Sequence, residues 1–351
     1  MRSLSYYNQQ RLTYRLLIAD SGNSDHLNRK QRIVDYYKAS LNIEHKTYEG
    51  DIEFNQKLSD VLKFVDTPYV VLGADDDFFV PRMLDRALAF LKTHPDYSIA
   101  HGEAVSFALE PCMAHGQIGD VSRYKQVTLD CKEAARRFYS HLTNYSGTWY
   151  SVQRTVQLRE NWKKAAGLIS EVFFPELLSS CLSVIQGKAK KLDGLYMVRQ
   201  HRPENKYSGP DLFDWIAWPD WGSQYERLRN CIAEELARHE GISIDEGQRL
   251  VKKAFWFYLA TGFNNQWRDC YPNNVRDSSL RDTLRRVPGL RRVWRMLKNT
   301  FGERSEPEIS LAALSNKSSP YYEDFQPIYR AVTESPKELP NETPCLDKHS
   351  R

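Results

Sequence analysis

The sequence lacks several of the features that mark large classes of protein. Its six cysteines are widely scattered, with no CxxC pair and no metal-ligand spacing, which suits reduced thiols better than a disulfide framework. No apolar stretch approaches the ~18–20 residues of a membrane span. Residues 1–15 also lack the apolar core of a signal peptide. We therefore expect a cytoplasmic protein, attached at most to the inner face of a membrane.

The composition is that of an ordinary globular protein. Hydrophobic residues make up 41% and charged residues 27% of the 351 positions, and no internal repeat is present. The net charge of +4 is too small to indicate a nucleic-acid partner. The chain is long enough for two domains, or for one sizeable domain with an appended module.

Strands and helices alternate over residues 14–100, which favours a mainly parallel α/β sheet. Apolar positions from Phe54 to Val65 recur at helical spacing and predict a helix capped by Asp51. The continuous apolar run 69–72 predicts a central strand covered on both faces. Pro81 then begins another helix. Four further segments read as strands, near 97–108, 122–128, 147–152 and 192–199.

Helical patterns predominate in the later part of the chain. A helix is predicted from Pro175 to Ile185, closed by Gly187. Ser243 and Glu246 form a capping box before an apolar helix. We expect three parts. The α/β domain covers 1–205, a mostly helical region covers 206–333, and the polar tail 334–351 is disordered.

The acidic run Asp75, Asp76 and Asp77 follows the apolar run 69–72 directly. Open α/β sheets bind ligands at the carboxyl ends of their strands. Asp75 and Asp77, two residues apart, can point the same way and share one Mg²⁺ or Mn²⁺ ion. The alternative is an acidic turn that caps the next helix. Three clustered carboxylates repel one another unless a cation is present, which favours the metal.

Residues 54–97 (FNQKLSDVLKFVDTPYVVLGADDDFFVPRMLDRALAFLKTHPDY) resemble bacterial glycosyltransferases related to family 2. The likeness continues in LLIADSG, GTWYSVQRT, the helix ending in IQGK, LYMVRQH and, more weakly, SPYYEDFQPIYRAV. It implies a GT-A fold, a divalent cation (Mn²⁺ or Mg²⁺) and a nucleotide-sugar donor, for which we expect a UDP-sugar. It also implies Asp77 as the main metal ligand and Asp75 on ribose or metal, with Asp76 beside them at the donor.

The resemblance implies further site residues. Asp20 matches an acidic residue that reads the nucleotide base or ribose, although it is also a turn-forming residue. Lys57 lies where a basic residue helps to hold the nucleotide, but its position equally suits a solvated lysine. His201 matches an imidazole that joins the metal in some GT-A enzymes, with a loop histidine as the alternative.

Glu176 is the expected catalytic base. In the resembled family an acidic residue at a helix start precedes a glycine by about eleven positions, as Glu176 precedes Gly187. Pro175 replaces the acidic residue that usually comes first in the pair. Backbone N–H groups of the first turn are expected to keep Glu176 ionised and ready to accept a proton. A purely structural glutamate is the alternative, and Glu171 is the rival base.

Aromatic residues and a basic segment suggest how an acceptor could be bound. Tyr145, Trp149 and Tyr150 can stack on a sugar, although aromatic residues in strands are more often core. Trp215, Trp218 and Trp221 fit either packing or acceptor binding. The basic amphipathic stretch 281–304 can lie on an anionic membrane surface, where lipid-linked acceptors are found, or can pack on the domain with its arginines solvated.

The N-terminal segment of proteins in the resembled family has no counterpart in this sequence. Met1 corresponds to a point inside that family's first helix, so about fifteen to twenty residues of strand and loop are expected to be absent. Two explanations compete, a start codon upstream of Met1 and a degenerate copy. We favour the first because the rest of the site is present.

Three functions remain to be compared. The leading one is inverting transfer from a nucleotide-diphosphate sugar to a hydroxyl of a glycan or lipid-linked acceptor in bacterial surface glycan synthesis. A nucleotidyltransferase would need a Gly-rich phosphate loop, and an aspartyl-phosphate phosphatase a DxDx[TV] motif, and neither occurs. The third is a catalytically impaired nucleotide-sugar-binding module, which the front of the chain favours.

Overall fold

The computed structural model describes residues 2–22, 24–110, 115–167, 173–201, 211–270 and 307–334. The stretch 281–304, Glu171 and almost all of the tail 334–351 therefore lie outside the described residues. In the described part no helix is long and apolar enough to cross a membrane.

The first part of the chain alternates helices with short strands, as predicted. Its elements are α1 (Arg2–Gln9), β1 (Leu16–Asp20), α2 (Ser24–Lys38), β2 (Ile43–Thr47), α3 (Phe54–Val61) with a 3₁₀ turn (Leu62–Phe64), β3 (Tyr69–Val70), β4 (Asp77–Phe79) and α4 (Pro81–Thr93). Asp51 does not cap α3. Glu53 stands at the N-cap, without a side-chain capping bond.

Longer elements follow from residue 97. They are β5 (Tyr97–Glu110), β6 (Gln117–Tyr124), α5 (Ala134–Thr143), β7 (Val152–Arg154), α6 (Thr155–Ala166), α7 (Phe173–Gln186) and β8 (Lys188–Gln200). Gly187 allows the tight step from α7 to β8, because a Cβ there would lie 2.2 Å from the Ser98 hydroxyl oxygen and 2.8 Å from the Ser98 nitrogen.

The strands form two sheets. β1 and β2 pair in parallel, and the larger sheet has the order β3-β7-β5-β8-β4 with β6 added on β5. Within that larger sheet the described strands pair in parallel only between β5 and β8; the other four pairings are antiparallel. The prediction of a mainly parallel sheet was therefore wrong, and the sheet is mixed. The apolar runs indicated burial, but burial does not determine strand direction.

The run 69–72 is not a central strand. Only Tyr69 and Val70 form a strand, they pair with β7 alone, and both are half-buried at one end of the sheet. The absence of a leading strand, drawn from the resemblance, stays a prediction.

Helices dominate the remaining described chain. They are α8 (Leu212–Ile216), α9 (Trp221–Glu240), α10 (Ile244–Cys270), α11 (Leu311–Leu314) and α12 (Tyr322–Thr333). The capping box of α10 is confirmed, since the Ser243 hydroxyl accepts from the Glu246 N–H while the Glu246 carboxylate accepts from the Ser243 N–H. The division at residues 205 and 206 stays a prediction.

Two of the buried apolar clusters are large. One core joins α1, α4 and α12 to β4, β5 and β8, and the other joins α5, α6 and α7 to α9 and α10. Trp215 belongs to the second core, where its ring contacts Phe174 and Phe255. Packing therefore accounts for Trp215, whereas Trp218 is exposed.

Candidate active site

The three aspartates of the acidic run have different environments. Asp75 is exposed and Asp76 half-buried in the turn before β4, whereas Asp77 begins β4 with 1% of its surface exposed. The Ala74 N–H donates to Asp77 Oδ2 at 2.8 Å, but the buried Oδ1 has no hydrogen-bond partner. Burial raises the pKa of Asp77 to about 6, although nearby Arg199 lowers it. Asp77 is thus a buried carboxylate with one unsatisfied oxygen.

Helix α1 secures the outer edge of β4. β4 ends the strand order of the larger sheet, so no described strand pairs with that edge. The Tyr7 hydroxyl accepts from the Phe79 N–H at 3.2 Å and donates to the Asp77 carbonyl at 3.5 Å. The Tyr6 hydroxyl donates to the Phe79 carbonyl at 3.2 Å. Tyrosine hydroxyls therefore make contacts that a neighbouring strand would otherwise make.

Arg199 lies directly opposite Asp77 across the β4–β8 pair. Its Nε is 3.7 Å from Asp77 Oδ1. The guanidinium carbon is 5.1 Å from the centre of the Tyr124 ring and 4.7 Å from that of Tyr150. Two aromatic faces and one carboxylate thus surround the positive charge.

Glu176 lies in the first turn of α7, as predicted, and accepts a hydrogen bond from Tyr145. Burial raises the pKa of Glu176, while Arg199 and the Tyr145 hydroxyl lower it. Burial is the largest of these influences. That the helix terminus keeps Glu176 ionised stays a prediction. A raised pKa makes the carboxylate a stronger proton acceptor.

Gly147 marks the point where Glu176 and Tyr124 approach each other. A Cβ on Gly147 would lie 3.3 Å from Glu176 Oε1 and 3.4 Å from the Tyr124 hydroxyl oxygen. Tyr124 also contacts Arg199, and Arg199 acts electrostatically on both Asp77 and Glu176, which lie on separate elements. The structure therefore brings together two residues that are distant in the sequence.

Asp20 and Lys57 form a second polar group at the end of β1. Asp20 Oδ1 accepts from the Gly22 N–H at 3.1 Å and from Lys30 Nζ at 2.8 Å, and His45 Nε2 lies 3.6 Å from Oδ2. Burial by itself would raise the pKa of Asp20, but Lys30, the Gly22 N–H and His45 together lower it. Lys57 Nζ donates to the Ser21 hydroxyl at 2.7 Å, and burial lowers its pKa. Two predicted nucleotide contacts are thus neighbours.

His201 follows β8 and is exposed. Its backbone N–H donates to the Phe107 carbonyl at 2.7 Å. Among the described residues, no three His, Cys, Asp or Glu side chains are grouped to hold a metal. A hard cation that one or two carboxylates and substrate phosphates bind needs no such group. The unsatisfied Asp77 Oδ1 fits that kind of ligand, and the roles of Asp75 and His201 stay predictions.

The three aromatic residues proposed for a sugar have separate surroundings. Trp149 stacks on Phe54 with ring centres 5.5 Å apart and meets Trp162 edge-on at 5.1 Å, so it belongs to the packing between α3 and α6. Tyr145 and Tyr150 instead touch the site, at Glu176 and Arg199 respectively. Contact with a sugar stays a prediction for all three.

Sequence reasoning missed Arg199 and Tyr124. Arg199 lies within the motif LYMVRQH, two residues before His201, and a cation so close to a predicted ligand was an available signal. Tyr124 gave no such signal. Its role depends on β6 pairing with β5, which places Tyr124 across β5 from the end of β8.

No protein-family model and no curated protein sequence matches the chain. Among solved structures, the chain matches a GT-A glycosyltransferase of family 2 at low sequence identity over most of its length. That protein is S. aureus TarS. Its 1-349 structure matches with a TM-score of 0.45 and 13% identity, covering 80% of this chain and 73% of that one. A longer TarS structure gives a TM-score of 0.41 and 14% identity, covering 72% of this chain and 40% of that one. At these values the likeness is a general one, and no site residue follows from it.

Proposed function

We propose that the chain is a glycosyltransferase that moves a sugar from a nucleotide-diphosphate sugar to an acceptor hydroxyl with inversion. The observation that supports this best is the pairing of Asp77 with Glu176 around Arg199. One carboxylate has an unsatisfied oxygen suited to a cation, and the other has a raised pKa suited to a base. The donor needs a cation at its diphosphate, and the acceptor needs a base at its hydroxyl.

The donor is expected to be a UDP-sugar held between the two polar groups. Lys57 and Asp20 would contact the nucleotide, while Asp77, with Asp75 and Asp76 in the adjoining turn and His201 beyond β8, would serve the diphosphate and its cation. When bound, Mg²⁺ or Mn²⁺ supplies positive charge that stabilises the leaving diphosphate. The acceptor would be a hydroxyl of a glycan or of a lipid-linked glycan, and bacterial surface glycan synthesis is the setting that we propose.

Glu176 would accept the proton of the acceptor hydroxyl. As the acceptor oxygen bonds to the anomeric carbon, the bond from that carbon to the diphosphate oxygen breaks and its electron pair leaves with the diphosphate. The Tyr145 hydroxyl holds the Glu176 carboxylate in one orientation, which is the geometric requirement for a base.

Release of UDP from a panel of UDP-sugars, with Mn²⁺ and the full chain, tests this function. We expect one sugar to be turned over by the wild type, and much less by Glu176→Gln or Asp77→Asn. Lys63→Met is the matched control, because Lys63 pairs with Asp60 at the surface. A folded wild type that binds UDP-sugars but releases no UDP would overturn the proposal and identify a binding module instead.

A further inference from the structure

Arg199 is fixed by its surroundings on every side that the structure describes. The Asp77–Arg199 strand pair sets its backbone, and the rings of Tyr124 and Tyr150 lie 5.1 Å and 4.7 Å from its guanidinium carbon. Only 24% of its side chain is exposed. Because a guanidinium does not lose its proton in proteins, this site has a permanent positive charge.

That charge is shared among three carboxylates, because Asp76 in the turn before β4 also acts electrostatically on Arg199. Asp77 Oδ1 is 3.7 Å from Arg199 Nε, and Arg199 also acts electrostatically on Glu176. One cation cannot balance two anions, so the group of Arg199, Asp77 and Glu176 carries an excess negative charge when both acids are ionised. Arg199 thus stabilises the two buried carboxylates in part, and a further cation would balance the remaining negative charge.

Tyr124 connects the two ends of this group. Its ring stacks against Arg199, and its hydroxyl approaches the position of Gly147 beside Glu176 Oε1. The described titratable or charged groups that face Glu176 are Arg199 on β8, Tyr124 on β6, and Tyr145 and Tyr150 on the chain between α5 and β7. Arg199 is the one cation among them.

We propose that Arg199 is a positioning residue, which acts on Asp77 across the β4–β8 pair and on Glu176 from beside Tyr124, and so orients the two carboxylates relative to each other. Tyr124 and Tyr150 hold the guanidinium in its plane. The proposal deepens the function proposed above and rests on it for the role of Glu176.

Carboxyl ¹³C NMR of the full chain tests the proposal without requiring turnover. The Glu176 signal is assigned with Glu176→Gln, and its titration is followed in wild type, Arg199→Met and Arg199→Lys. Loss of the neighbouring cation should shift the Glu176 midpoint to higher pH in Arg199→Met. Arg199→Lys, which keeps the charge but loses the stacked plane, should shift it less, and it remains informative if Arg199→Met does not fold.

Arg123→Met is the matched control. Arg123 also lies on a strand and pairs with a buried carboxylate, Glu103, which keeps Lys191 as a partner at 3.0 Å. It should leave the Glu176 midpoint unchanged. An unchanged midpoint in folded Arg199→Met would overturn the positioning role, as would an unchanged midpoint in Arg199→Lys if Arg199→Met does not fold.

The acidic limb of the pH–rate profile should move in the same direction as the NMR midpoint. If the NMR midpoint shifts but the wild type releases no UDP, the proposed function fails while the positioning role stands. If UDP is released but neither the NMR midpoint nor the acidic limb moves, the positioning role fails and the function stands.

Discussion

Asp20 and Asp77 are both buried carboxylates beside short strands, yet their environments differ in kind. Asp20 has a lysine, a backbone N–H and a histidine around it, and these lower its pKa. Asp77 has one backbone N–H, a guanidinium at 3.7 Å and an unsatisfied oxygen, and burial raises its pKa. The negative charge of Asp20 is therefore compensated by its neighbours, whereas that of Asp77 would be stabilised by an added cation.

The largest expected effect concerns catalysis. Asp77→Asn should lower turnover about 100- to 1,000-fold, the usual loss when one electrostatic contact to a developing charge is removed. Asp20→Asn should act mainly on the KM for the donor. Steady-state UDP release at saturating Mn²⁺ measures both. Equal losses of kcat in the two variants would show that the different environments of Asp20 and Asp77 do not give them different roles in catalysis.

The next effect is a pH dependence of stability with opposite signs at the two residues. The pKa of Asp77 rises from 3.8 in the unfolded chain to about 6. Its contribution to stability is therefore fully present below about pH 4 and is lost as the pH rises through about 6, which amounts to roughly 3 kcal/mol. The contribution of Asp20 is present above about pH 4 and is lost on further acidification, because its pKa is lowered.

Urea unfolding of wild type and Asp77→Asn between pH 4 and pH 8, with EDTA present, checks this dependence. The difference in unfolding free energy between the two proteins should change across pH 4–6 and be flat above pH 7. A constant difference over the whole range would contradict the raised pKa of Asp77.

A smaller effect is expected on stability at neutral pH. Asp20→Asn weakens the acceptor of Lys30 and His45 and should cost about 1–3 kcal/mol. Asp77→Asn keeps an acceptor for the Ala74 N–H and removes a poorly compensated charge, so it should not lower stability at pH 7.5. Urea midpoints at that pH compare the two. A more stable Asp20→Asn would reverse the comparison.

The smallest effect is expected at Lys57. Lys57→Met should raise the KM for the donor about tenfold, or ~1.4 kcal/mol, with little change in kcat. Its control is Lys63→Met at the protein surface. A fall in kcat with an unchanged KM would place Lys57 at the reacting bond instead of the nucleotide.

The sequence predicted individual elements better than it predicted their arrangement. α4 begins at Pro81, and α7 places Glu176 in its first turn, because proline geometry and apolar spacing are local signals. The neighbourhood of Asp20 and Lys57 was implied by the resemblance. The mixed sheet was not predicted, since apolar runs carry no information about strand direction.

The acidic residues of the candidate site were predicted from the sequence, but its positively charged residue was not. Asp77 and Glu176 stand in recognisable motifs, whereas Arg199 acquires its partners only through the pairing of β8 with β4 and the approach of Tyr124 and Tyr150. The burial of Glu176 was not predicted either, because burial depends on the whole fold and the helix terminus is only a local influence.

The tyrosine hydroxyls of α1 tie the acidic run to the fluctuations of one short helix. The Phe79 amide is protected by a side chain of α1 instead of a strand. Its hydrogen-exchange rate should therefore report the detachment of α1 from the sheet. Whenever the eight residues of α1 detach, the backbone around Asp77 loses its outer hydrogen bonds, and β4 would then depend on its pairing with β8.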